Sequence, residues 1–177
     1  MSGKRVKARK PTTAEIKELL LREPRQTLAV AESLTCGHVQ AQVGAISGAS
    51  DFFLGGVTAY SLEQKVKLLG VNRPAAKKVN CVSVRVAEEM ACGACGLFGA
   101  DWAIATTGYA EPSLADGVRE PFAWWAIAGR GEGGWAVAVR HGRVACPGAK
   151  RGEAQARVAA AVIGALVAYL RERAGRG

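Results

Sequence analysis

"TLAVAESLTCGHVQAQV", Thr27 to Val43, carries a hydrophobic stretch directly into Glu32-Ser33 and then into a segment of helical spacing. Thr27 to Ala31 has the apolar character of a central strand. Val39, Val43 and Ile46 fall at helical spacing after Gly37. The pattern predicts that a strand hands over to a helix at Ser33. Hydroxyls at such a junction can simply cap the helix. The same geometry can instead make Ser33 a nucleophile, with the following amides stabilising an oxyanion or a phosphate.

Outward from that junction the pattern alternates. Thr12-Thr13-Ala14-Glu15 reads as a capping box for a first helix that Pro24 ends. Gly55 to Tyr60 reads as a strand, followed by a helix capped by Ser61 and Gln64 and stopped at Gly70. A short helix over 74–79 and a longer one capped by Ser83 come next. Trp102 to Thr106 is a buried strand, followed by a loop from Gly108 through Glu120. Residues 123–128 and 135–139 form two antiparallel strands around a Gly-rich turn, and a C-terminal helix starts near Glu153. This order predicts an α/β domain of three layers, a mixed β-sheet with helices on both faces. Trp124, Trp125 and Trp135 read as core residues or as part of an interface.

The 177 residues are enough for one domain that buries roughly 70% of its extended-chain surface without metal or disulfide staples. The expected division is a basic disordered tail over 1–10, a single domain over 11–174 and a flexible C-terminus over 175–177. No apolar run approaches the roughly 20 residues of a membrane helix, and the start lacks a secretory h-region, so a cytoplasmic protein without a membrane partner is expected. The net charge is +9, with five basic residues among the first ten. That cluster reads as a solubilising tail, and nucleic acid is not the expected partner. The five cysteines are read as buried, inert thiols, including Cys92 and Cys95 inside a helical pattern. Two histidines do not make a metal centre, so neither a metal nor another cofactor is expected.

If Ser33 is a nucleophile it needs a base. His38 lacks an identifiable orienting acid, whereas a lysine kept neutral by burial can take the proton. Lys65 and Tyr60 are the candidates, although each also reads as an ordinary surface residue. For a phosphate, the backbone at Thr107-Gly108 and the cations Lys150 or Arg151 are available. These residues equally suit a turn and a solvated loop.

Five stretches together resemble the C-terminal domain of the competence/damage-inducible protein CinA, a family whose stand-alone forms include nicotinamide-nucleotide amidases. They are "AESLTCG" at 31–37, "GGVTAYSLEQKVKLLGV" at 55–71, "VSVRVAEEMACGA" at 82–94, "ATTGYAEP" at 105–112 and "CPGAKRGEAQARVA" at 146–159. The resemblance implies Ser33 as nucleophile assisted by Tyr60 and Lys65. It also implies hydrolysis of nicotinamide mononucleotide to nicotinate mononucleotide and ammonia, a pyridine-nucleotide partner and a homo-oligomer. Amides of Thr35, Cys36 and Gly37 would face the substrate, with Thr107, Gly108, Lys150 and Arg151 around its phosphate. The alternative is a catalytically degenerate nucleotide-binding or interaction domain. Leu34, Cys36, Tyr109, Glu111 and Ala149 depart from the family's usual "AESCTGG", "TGIAGP" and "PGDR", and Glu111 would repel a phosphate unless a cation compensates.

Overall fold

The computed structural model describes residues 12–131 and 133–175. The predicted basic tail over 1–10 lies outside them, as do residues 176 and 177. The strands are β1 (Leu28–Glu32), β2 (Phe53–Thr58), β3 (Trp102–Tyr109), β4 (Phe122–Arg130) and β5 (Ala136–Ala145). The helices are α1 (Ala14–Leu20), α2 (His38–Gly44), α3 (Leu62–Leu69), α4 (Arg73–Lys78), α5 (Val84–Phe98) and α6 (Arg151–Ala174). One sheet runs in the order β2-β1-β3-β4-β5, with β2, β1 and β3 parallel and β4 and β5 antiparallel. This is the expected mixed sheet with helices on both faces.

The alternation along the strands sorts the two faces by size. Ala29, Ala31, Ala103, Ala105, Ala126 and Ala128 meet α5, while Leu28, Val30, Ile104 and Ile127 meet α1, α2 and α6. Small side chains under α5 let it approach the sheet closely, and each Leu, Val or Ile buried on the other face contributes about 1.5–3 kcal/mol. α3 is held against α5 at Gly93, where a Cβ would lie 2.1 Å from the Leu69 carbonyl oxygen. Backbone cannot yield as a flexible side chain does. Gly93→Ala should therefore cost about 1–3 kcal/mol, read as a lower urea midpoint at unchanged slope. Because α3 carries Lys65, the same substitution should disturb the site.

Several expectations shift. The second strand ends at Thr58, so Tyr60 stands two residues beyond it. Gly108 and Tyr109, expected in a loop, continue β3 and pair with Ala123 and Phe122. Trp135 is 83% exposed, which rules out the core half of its reading, and of the five cysteines only Cys95 and Cys146 are buried, Cys36 being exposed. Of the predicted capping box, Glu15 does accept from the Thr12 amide, but Thr13 occupies the cap without a side-chain bond. α6 is long and apolar enough, by length and composition, to cross a membrane, contrary to the expectation of no such run. Its apolar stripe from Ala154 to Leu170 is buried in the core of this domain.

Candidate functional site

The C-terminal end of β1 sets the site. The Ser33 amide donates to the Thr106 carbonyl oxygen at 3.0 Å, which fixes the residue at the sheet edge immediately past the strand. Glu32, fully buried, turns its carboxylate under the next helix and accepts from the amides of Gly37 (3.0 Å), Val39 (3.1 Å) and Gln40 (2.9 Å). The charged residue at this junction is thus the helix cap, doing for α2 what a shorter Asp or Ser usually does. The turn between them forces Cys36 to φ +48° and Gly37 to φ +97°. A left-handed backbone costs a non-glycine residue about 1–2 kcal/mol. Cys36→Gly should raise the unfolding free energy by up to about 1 kcal/mol, the glycine's own chain entropy offsetting part of the relief; thermal unfolding reads the change.

Lys65 comes to the same point from α3, whose start is capped by Ser61 Oγ accepting from the Gln64 amide at 3.3 Å. Its Nζ lies 2.9 Å from Ser33 Oγ, 2.9 Å from the Ala59 carbonyl oxygen and 2.7 Å from the Tyr60 carbonyl oxygen. The side chain is 1% exposed. Burial pushes the Lys65 pKa below the ordinary lysine value, against a smaller opposing pull from Cys81. The two carbonyls can only accept, so they take two N–H bonds whatever the protonation state. In the neutral amine the remaining direction, toward Ser33 Oγ, is the lone pair.

The other predicted residues divide. Tyr60 reaches Lys65 through its carbonyl; its hydroxyl accepts from Arg151 Nη2 at 2.7 Å. Arg151 Nη1 in turn donates to Glu111 Oε1 at 2.6 Å. Thr107 and Gly108 line the cleft in front of Ser33, with the Thr107 hydroxyl donating to the Cys81 carbonyl oxygen at 2.7 Å. Thr35 instead faces inward, its Oγ1 2.7 Å from Thr106 Oγ1. Thr35, Cys36 and Gly37 are not among the lining residues, and the Gly37 amide is already taken by Glu32. Lys150 is exposed at the start of α6, its amide donating to the Glu153 carboxylate at 3.3 Å.

The cleft holds about 250 Å³, between Ser33, Leu34, Lys65, Cys81, Thr107 and Tyr109. A trough of about 320 Å³ that reaches Lys78 and Asp116 shares Asn80, Val82 and Tyr109 with it. Asn80 and Cys81, which sequence reasoning did not place here, both have positive φ (+46° and +60°). Asparagine tolerates that conformation and hints at it; a cysteine gives no such signal. Tyr109, one of the departures from the family's usual motifs, lines both spaces, and its hydroxyl accepts from the Asn80 side-chain amide at 3.1 Å. The arrangement can activate one hydroxyl beside a small polar cleft.

A family model described as the CinA C-terminal domain matches residues 10–170. Over 100 residues, 56% of this chain, it is 46% identical to a CinA-like protein of Picosynechococcus sp., of which that stretch covers 24%. It is 43% identical over 102 residues to one of Nostoc punctiforme, covering 58% of the chain and 24% of the relative. The chain thus spans about a quarter of the length of these curated relatives. Among solved structures, the competence damage-inducible protein A of Klebsiella pneumoniae superposes with a TM-score of 0.77 at 28% identity, covering 91% of this chain and 98% of that one. A CinA superfamily protein of Enterobacter cloacae gives 0.78 at 26% identity, with coverage of 96% and 99%.

Proposed function

Because this chain belongs to the CinA C-terminal domain family, and because a buried lysine meets a serine at its strand-end cleft, we propose that it is an amidohydrolase of pyridine-nucleotide carboxamides. Nicotinamide mononucleotide would give nicotinate mononucleotide and ammonia. The observation that carries this reading is the 2.9 Å approach of Lys65 Nζ to Ser33 Oγ, with the amine buried and its other two contacts limited to carbonyls.

In the mechanism, neutral Lys65 takes the Ser33 proton as Oγ attacks the carboxamide carbon. The carbonyl π electrons move to oxygen. Glu32 holds the Gly37, Val39 and Gln40 amides and the Ser33 carbonyl holds the Cys36 amide, which leaves the amide of Leu34, a residue that lines the cleft, as the turn's donor to that oxyanion. As the intermediate collapses, the lysinium returns the proton to the departing nitrogen and ammonia leaves. Water, deprotonated by the same amine, then cleaves the ester and restores Ser33. Tyr60 acts on this chemistry through its carbonyl, which orients Nζ.

A product-resolved assay tests the reading: purified protein given nicotinamide mononucleotide should form nicotinate mononucleotide and ammonia in equal amounts. A second reading, a domain that binds a nucleotide or a partner without hydrolysis, is favoured by the Arg151 contacts. That cation is occupied by Glu111 and Tyr60 instead of standing open to a phosphate. It requires saturable binding with no product.

A further inference from the structure

Arg151 and Glu111 form a charge pair at the rim of the cleft that neither the fold nor the serine–lysine chemistry requires. Tyr60 is a wall residue of the cleft, and its hydroxyl accepts from Arg151 Nη2. Glu111 follows another wall residue, Tyr109, by two positions, and takes the opposite edge of the same guanidinium. Three segments are joined in this way: the connection after β2, the connection after β3 and the first residue of α6. Both charged side chains are substantially exposed, 46% for Arg151 and 59% for Glu111, so the pair adds little to stability. Its consequence is for whatever charge approaches the rim.

A guanidinium recognises a phosphate by presenting two parallel N–H groups. Here Nη1 faces a carboxylate and Nη2 a phenol. An incoming phosphate dianion must displace Glu111 or sit beside its negative charge. The described lining of the cleft offers no compensating fixed charge, since its one basic side chain is Lys65, whose ammonium burial disfavours. We infer that Glu111 is a specificity-determining residue: by occupying Arg151 it lowers the site's preference for a phosphorylated ligand relative to the same pyridinium ribonucleoside without phosphate.

This rests on the reading that the cleft binds a pyridine carboxamide. The test therefore measures binding separately from turnover. In the full chain carrying Ser33→Ala, dissociation constants are measured by calorimetry for nicotinamide mononucleotide and nicotinamide riboside at fixed low salt. Adding Glu111→Gln frees the guanidinium and should shift the ratio toward the mononucleotide by about fivefold or more. Adding Arg151→Met leaves the carboxylate uncompensated and should move the ratio the opposite way. The two opposite signs are a readout that general loosening of the loop does not produce. A ratio unmoved by Glu111→Gln, an equal change for both probes, or no saturable binding of either probe overturns the inference. If the ratio moves as expected but the chain with Ser33 intact releases no ammonia from either probe, the hydrolase reading fails and the role of Glu111 stands.

Discussion

Lys65→Met should lower kcat/KM for ammonia release by about 10²–10⁴, the usual worth of a positioned general base, while leaving the chain folded. Methionine fills much of the lysine's volume and brings no charge, so the loss reports the amine itself. The wild-type profile should carry the sign of that amine. Burial favours neutral Lys65, so activity rises with pH through the folded-state pKa, which lies below the ordinary lysine value. That limb should vanish in Lys65→Met. Stability follows the same proton: between the lowered folded pKa and the ordinary one the unfolded chain binds more protons. Wild-type stability therefore rises with pH across that window and carries the full desolvation cost below it. Lys65→Met removes the cost, so its stability relative to wild type should be greatest at the low-pH end. Denaturant titrations on both sides of the window measure the difference.

The largest stability effect is expected at Glu32. Its carboxylate is fully buried and accepts three amide hydrogen bonds. Glu32→Ala leaves those donors without partners, the Val39 amide in a buried position and the Gly37 and Gln40 amides in partly buried ones, and each orphaned buried group costs about 1–3 kcal/mol. Partial relaxation of the α2 entrance will recover some of this, and a net loss of about 3 kcal/mol is expected. Urea unfolding measures it. Because Ser33 is the next residue, turnover should fall with the cap even where the variant remains folded. Glu32→Gln keeps an acceptor and should lose markedly less stability. Equal losses in the two variants would show that charge, not the number of acceptors, holds the turn.

Much of the sheet was legible because hydrophobic spacing is a local signal. Leu28 to Ala31 reads as a covered strand and is one, and Val39 and Val43 lie on the buried side of α2 as their spacing predicts. Ser61 and Ser83 cap the helices they precede. The approach of Lys65 to Ser33 was legible only as a candidate, because 32 residues separate them and the meeting depends on how α3 packs. The Tyr60 hydroxyl was harder still: its partner lies 91 residues away at the start of α6, and no pattern in either segment announces the other. Trp135 could be read either way for a general reason. Large apolar residues fill cores, but nothing prevents one from standing on the surface. The role of Glu32 was within reach of the sequence, since its three amides lie only five to eight residues on. A buried glutamate reaching past its own turn is a less familiar cap than a serine.

The covalent step is open to direct observation. Wild-type chain mixed with nicotinamide mononucleotide, quenched in acid during the first turnover and digested, should release ammonia and carry the acyl group on the peptide that contains Ser33. The Ser33→Ala chain, checked for intact fold, should do neither. Ammonia release that survives in Ser33→Ala, or none from the wild type, would contradict the account.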